Sequence, residues 1–241
     1  RLNALKSVVK IRAFLGIDAN GDSISSGCTG SLVGEDLILT NRHCVAIREN
    51  GAWTAVNSAT ASVGYQMGRY RARSNIDLSN CKIGLGSIND SESDWAICPI
   101  QESLGQTYGY LKIKNQKMNE NDQILLAGYH DDRTNNLTLQ ECHVRQTPSY
   151  AAGTIAHDCA TAEGSSGAPI LKCDNAECSI VALNQSMIFP SSIDPSTKAK
   201  LQSGDLPGLK LKEYSVEYRN VAISPEMFVN VLENLKKTQS A

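Results

Sequence analysis

Leu37-Ile38-Leu39-Thr40-Asn41-Arg42-His43-Cys44 is a strand-length apolar run that gives way to a short polar turn presenting a histidine. Such a run is too short for a helix of ordinary length and ends where a strand would turn. The pattern recurs in Ser31-Leu32-Val33, Trp95-Ala96-Ile97, Gln123-Ile124-Leu125-Leu126-Ala127, Pro169-Ile170-Leu171 and Ser179-Ile180-Val181-Ala182-Leu183, between stretches punctuated by Gly, Asn, Asp and Ser. Short apolar runs bounded by turn residues predict an all-β chain, a sandwich or a barrel. Arg69-Tyr70-Arg71-Ala72-Arg73 alternates, so a strand there would carry its arginines on one solvated face.

The chain has 241 residues, 41% of them apolar, enough for a sizeable core and a good fit to two packed β-barrels. With only 3 Phe and 2 Trp, that core must rest on Val, Ile, Leu and Ala. A formal net charge of −2 gives no electrostatic reason to expect nucleic acid or an anionic membrane as partner. No apolar run approaches the roughly 18 residues needed to span a bilayer. Residues Arg1 to Ile11 mix charges with apolar positions and lack a signal-peptide core. An exported protein is therefore expected here with its targeting segment already removed, and a monomer is the default.

The period changes near the end of the chain. Ser224 precedes Pro225, as an N-cap precedes a first-turn proline, and Met227, Val231, Leu232 and Leu235 follow at helical spacing. Glu226 and Glu233 come before Lys236 and Lys237, a favourable order for the helix dipole. This predicts one helix over about 224–237, covering a barrel. The polar stretch at 103–118, around Ser103-Leu104-Gly105-Gln106-Thr107, is the best boundary, dividing the chain into 1–110 and 111–241.

Eight cysteines, Cys28, Cys44, Cys81, Cys98, Cys142, Cys159, Cys173 and Cys178, are spread along the chain with no CxxC pair. Disulfides in an oxidising compartment, secreted or periplasmic, are the expectation. Cys142-His143 and His157-Asp158-Cys159 could instead supply zinc ligands, but the spacing is poor for a metal site.

Three local patterns carry chemistry together, although each has a bland reading. His43 ends a buried strand, with Cys28 placed to clamp its turn; a lone histidine is more often structural. Glu92-Ser93-Asp94-Trp95-Ala96-Ile97 opens a strand with an aspartate; Asp is common in such turns, but a buried carboxylate there could orient an imidazole. Gly164-Ser165-Ser166-Gly167-Ala168-Pro169 sets a serine between glycines just before a strand. A nucleophile needs that projection from a tight turn, and an oxyanion needs backbone N–H groups beside it.

Thr40-Asn41-Arg42-His43-Cys44, Asp94-Trp95-Ala96-Ile97 and Gly164-Ser165-Ser166-Gly167-Ala168-Pro169, in that order, resemble the signature segments of chymotrypsin-fold serine peptidases, from about Gly27 to Leu183. The resemblance implies two six-stranded antiparallel β-barrels with the active site between them, plus the C-terminal helix. It implies a secreted endopeptidase that hydrolyses protein or peptide substrates without metal or cofactor. Ser166 would be the nucleophile, His43 the general base and acid, and Asp94 the orienting carboxylate, with Gly164 and Ser166 supplying the oxyanion N–H groups.

Departures from the family sharpen this. Ser165 stands where animal digestive members have an aspartate that pairs with a new N-terminus, and no Ile-Val-Gly-Gly opening is present. The chain thus looks closer to the bacterial branch that includes glutamyl endopeptidases. Ala160 occupies the place of the trypsin pocket aspartate, with Asp158 two residues back; Asn184 falls where glutamyl endopeptidases carry a histidine. A polar, uncharged pocket of Ala160, Thr161, Asn184, Gln185 and Ser186 is expected, without strong preference for Arg or Lys. Cys28–Cys44 is the leading disulfide. Cys173–Cys178 would bracket a hairpin turn, Cys142–Cys159 would tether the loop before the nucleophile, and Cys81–Cys98 remains; other pairings of these last four stay open.

Two other functions compete: a catalytically silent homologue that binds protein partners, and a serine esterase on the same scaffold. The presence of all three triad residues argues against the first. Asn89-Asp90-Ser91, Asn136-Leu137-Thr138 and Asn184-Gln185-Ser186 match glycosylation sequons, a triplet common by chance and assigned no function.

Overall fold

Leu37, Ile38 and Leu39 are all fully buried because their strand is covered on both faces. Ile38 points into one barrel, while Leu37 and Leu39 point into the seam between that barrel and the next. A strand buried on both sides reads as an unbroken apolar run. The same holds for Gln123–Tyr129, where Ile124 and Leu126 fill the second barrel and Leu125, Ala127 and Tyr129 face the seam. The computed structural model describes residues 2–86, 90–131, 136–145, 152–175, 177–187 and 220–239.

The first barrel is built from β1 (Val8–Ile17), β2 (Ser23–Leu32), β3 (Leu37–Thr40), β6 (Ser58–Val63), β7 (Ala72–Asn75) and β9 (Ala96–Pro99), in the order β7-β6-β1-β2-β3-β9. An antiparallel bridge between Ile76 and Ile100 brings β7 and β9 together and closes the ring. Short β8 (Lys82–Ile83) extends the sheet beyond β9, and the β4 (Ala46–Glu49) and β5 (Ala52–Ala55) hairpin stands apart. Its tip is Asn50-Gly51, both at positive φ, the pairing a tight two-residue hairpin turn requires.

The second barrel is a closed ring of β11 (Gln123–Tyr129), β12 (Leu137–Arg145), β13 (Thr154–His157), β16 (Asn220–Ile223), β15 (Glu177–Met187) and β14 (Pro169–Asp174). Short β10 (Lys112–Ile113) joins β15 in parallel, whereas the other pairings among the described strands are antiparallel. The architecture is the expected pair of six-stranded barrels with a C-terminal helix.

All eight cysteines are paired as Cys28–Cys44, Cys81–Cys98, Cys142–Cys159 and Cys173–Cys178, the four expected bridges. No thiolate among Cys142 or Cys159 is left for the zinc alternative. Four disulfides fit an oxidising compartment. No described helix is long and apolar enough to cross a membrane.

Two local expectations shift. Strand β7 begins only at Ala72, because Met67 and Gly68 take positive φ and Arg69 closes a turn with Gln66. Arg69, Arg71 and Arg73 are nevertheless exposed, as expected of arginine. At the C-terminus, Ser224 makes no side-chain cap, and Pro225–Met227 form a single 3₁₀ turn. The α-helix starts at Val229 and runs to Gln239. Ser224 N–H is held by Gly153 O at 2.7 Å, which keeps the chain extended there and delays the helix. Phe228 and Leu232 are buried in the seam, so the helix does cover the barrels. The polar stretch at the boundary contains a short helix, Leu104–Tyr108. Gly105 packs its backbone against Gly34, where a Cβ would lie 2.0 Å from the Gly34 carbonyl oxygen.

Candidate active site

Strand β3 ends at Thr40, and the chain turns at once through a 3₁₀ turn, Arg42–Cys44. Three ties fix this turn. Cys44 is bonded to Cys28 on β2. Asn41, fully buried, donates its amide to the Asp94 carbonyl oxygen at 2.8 Å. Arg42, 1% exposed, stacks its guanidinium 3.8 Å from the Trp53 ring centre and donates to Gly84 O at 2.6 Å. Between these buried neighbours His43 projects outward, its side chain 42% exposed.

Asp94 sits just before β9 and is buried. Its Oδ1 accepts the His43 backbone N–H at 3.0 Å, and its Oδ2 lies 2.6 Å from His43 Nδ1. Oδ2 also accepts the Gln185 amide at 3.0 Å. Burial pushes the carboxyl upward, but the hydrogen bond and charge of His43, with the Gln185 amide, outweigh it and hold Asp94 below the usual carboxylate range.

Ser166 occupies a turn between two glycines with left-handed backbones, Gly164 at φ +89° and Gly167 at φ +78°. Any side chain at Gly167 would strike the first barrel, since a Cβ there would lie 2.2 Å from Thr29 O. The turn is held across the seam by Thr29 of β2. Its N–H donates to Ser166 O at 2.8 Å, and its hydroxyl donates to Gly164 O at 2.8 Å while accepting Tyr129 N–H at 2.9 Å. Behind the turn, Asn184 accepts Gly167 N–H on its carbonyl and donates its amide to Ser165 O. The N–H groups of Ser165, Gly167 and Ala168 all have backbone acceptors. Those of Gly164 and Ser166 have none among the described residues.

The Ser166 carbonyl oxygen lies 3.9 Å from Cys44 Sγ, which brings the serine turn beside the histidine turn. No hydrogen bond joins the Ser166 hydroxyl to the imidazole among the described residues. Such catalytic contacts are often long without substrate and tighten in the complex. Donor atoms of Cys28, His43 and Cys44 cluster within 4.8 Å, but the two sulfurs are bonded to each other and are not thiolate ligands.

The residues expected to line a pocket divide. Ala160 is exposed and Thr161 half-buried, its hydroxyl donating to Asn220 Oδ1 at 2.9 Å. Asn184 is 2% exposed, with its Oδ1 3.1 Å from His157 Nε2. Gln185 turns to Asp94 because β15 bulges against β16 between Asn184 and Ser186. The side chain of Ser186 lies outside the described residues. Asp158 accepts from Arg145 and from His143 N–H, the latter at 2.6 Å, so its charge is already met. Asn41 lies within the histidine signature segment, but its bond to Asp94, the role of Thr29 and the Gln185 contact to Asp94 are not legible in local sequence. The one available signal was that Thr29 adjoins Cys28, the cysteine expected to clamp the histidine turn.

Residues 28–182, more than half of the chain, match the family model of the trypsin-like peptidase domain. No curated protein matches the chain in sequence. Among solved structures, the protease Anisep from Arthrobacter nicotinovorans is 14% identical, with TM-score 0.65 over 92% of this chain and 91% of that one. A Glu endopeptidase is 20% identical, with TM-score 0.65 over 97% and 91%. A scabies mite inactivated protease paralogue, S-I1, is 13% identical, with TM-score 0.65 over 98% and 96%. At these identities the structures speak for the fold, while the family model speaks for descent. The chain belongs to the trypsin-like peptidases, serine endopeptidases built on this pair of barrels.

Proposed function

We propose that this chain is a secreted or periplasmic endopeptidase in which Ser166 attacks the scissile carbonyl and forms an acyl-enzyme. The observation that carries the reading is the pair of hydrogen bonds between Asp94 and His43, one carboxylate oxygen accepting the backbone N–H at 3.0 Å and the other 2.6 Å from Nδ1. That grip fixes the ring and its tautomer, leaving Nε2 for the serine proton. His43 takes the Ser166 proton as the C–O bond forms, then passes it to the leaving amine as the C–N bond breaks. Water repeats the cycle and releases the acid. The uncommitted N–H groups of Gly164 and Ser166 supply the oxyanion site, where charge appears only in the tetrahedral state.

Asp94, buried and held ionised, stabilises the imidazolium that forms in passing. Engagement of Asp158 by Arg145 supports a pocket without free negative charge and hence no strong preference for Arg or Lys before the cut. Substrates are proteins or peptides, the working unit is a monomer with barrels at 1–110 and 111–241, and the chemistry uses no cofactor.

The test is digestion of a mixed peptide library by the purified chain, with cut sites read by mass spectrometry. Internal cleavage that disappears in a folded Ser166→Ala variant is the expected result. An intact library from a folded wild type would favour the silent, partner-binding alternative. Cleavage dominated by Arg or Lys would overturn the pocket reading.

A further inference from the structure

Lys10 lies in β1 on the face opposite Val9, Ile11 and Ala13, which fill the first barrel, yet it is only 3% exposed. Its ammonium meets Asp131 Oδ1 at 3.1 Å, across the seam and 121 residues along the chain. Room for it exists because Gly27 has no side chain; a Cβ there would come within 2.8 Å of Nζ. Taking a lysine out of water carries a desolvation penalty that its ion pair must offset, and replacing a buried pair by apolar residues of similar shape is often neutral or stabilising. A purely structural role accounts poorly for this choice.

Asp131 touches the site directly. Its backbone N–H donates to Glu163 O at 2.8 Å, and a Cβ on Gly164 would lie 2.9 Å from its Oδ1. In a trans peptide the C=O and N–H point in opposite directions. Fixing the Glu163 carbonyl on Asp131 therefore turns the Gly164 N–H the other way, leaving it free for substrate. Gly164 itself offers little resistance to rotation. Ser165 contributes no charge either, since its hydroxyl donates to Ala162 O at 2.6 Å.

We propose that the Lys10–Asp131 ion pair is a positioning device for the oxyanion loop. The first barrel uses Lys10 to seat Asp131, and Asp131 holds the Glu163–Gly164 peptide in the orientation that offers the Gly164 N–H to the transition state. This rests on the reading of Ser166 as nucleophile. Lys10 and Asp131 touch no substrate; they act through the peptide they hold.

The experiment compares wild type, Lys10→Met, Asp131→Asn and the double variant on one cleaved peptide, together with binding of a peptide boronate of the same sequence. The boronate adduct is tetrahedral and places an oxygen in the oxyanion site. Each single variant should lose about 10- to 100-fold in kcat and in boronate affinity alike, less than the complete loss of a donor, with KM within about 3-fold. Thermal stability of Lys10→Met should fall little, because the Asp131 carboxylate left behind is 42% exposed and keeps its hydration, and the double variant should lose no more activity than either single one. Asp131→Asn keeps the backbone donor and carries the test if Lys10→Met does not fold. Full kcat and boronate affinity in folded variants, a loss confined to KM, or additive losses in the double variant would each overturn the proposal. A wild type that neither cleaves nor binds boronate would instead overturn the nucleophile assignment.

Discussion

Replacing Thr29 with valine removes one hydroxyl and keeps nearly the same shape. That hydroxyl is fully buried and serves two backbone groups of the second barrel, donating to Gly164 O and accepting Tyr129 N–H. Valine leaves both unmet, and each stranded group costs about 1–3 kcal/mol. The Thr29 N–H to Ser166 O bond survives, so the turn is loosened at Gly164 rather than released. The expected loss is about 2–4 kcal/mol of stability, the lower part of the two-group range. A shifted Gly164 should also lower kcat by about 10-fold, a partial version of losing an oxyanion donor. Urea unfolding, at unchanged m-value, reads the first quantity, and single-substrate kinetics read the second. Thr29→Ser retains the hydroxyl and should restore most of both. A Thr29→Val protein within about 0.5 kcal/mol of wild type, the range of a neutral surface substitution, would refute the claim that this hydroxyl clamps the loop. So would a Thr29→Ser variant as damaged as the valine.

Other expectations follow from the same geometry. Asp94→Asn should leave the fold intact and lower kcat by about 10⁴-fold, because an amide cannot hold the productive imidazole tautomer; steady-state kinetics with circular dichroism check it. Gly167→Ala should cost about 2 kcal/mol or more, from the left-handed backbone and from a Cβ placed against Thr29 O; thermal unfolding measures it. His157 is fully buried, which lowers its pKa to about 4. The unfolded chain therefore binds that proton first, and stability should fall by up to about 3 kcal/mol as pH drops from about 6.5 to about 4. His157→Gln, which keeps a donor for Asn184, should flatten that decline in urea titrations at several pH values. The Asp94 contribution has the opposite origin, a depressed carboxylate, and is lost only at still lower pH.

Much of this molecule is written locally. The doubly buried strands β3 and β11 announce themselves as unbroken apolar runs, and Asn50-Gly51 marks its hairpin. His43, Asp94 and the Gly164–Pro169 turn stand at strand ends, where a few turn residues fix the direction of a side chain. Where long-range contacts decide, the pattern is silent. The C-terminal helix starts late because Ser224 is held by Gly153, a bond formed only once β13 and β16 pair. Asn184 and Gln185 read as pocket residues, but a bulge sends one into the interior and the other to Asp94. Lys10 looks like any strand lysine until folding sets it against Asp131, and Thr29 gains its role from Gly164, 135 residues away.

The most direct measurement is the site of covalent capture by a fluorophosphonate, read by peptide mass spectrometry of the labelled, disulfide-intact protein. A single adduct on the second serine of the Gly164–Pro169 turn, abolished by Ser166→Ala and strongly slowed by His43→Ala, is the predicted outcome. An adduct on Ser165, or a folded chain that takes up no reagent at all, would contradict the proton path from hydroxyl to imidazole to carboxylate.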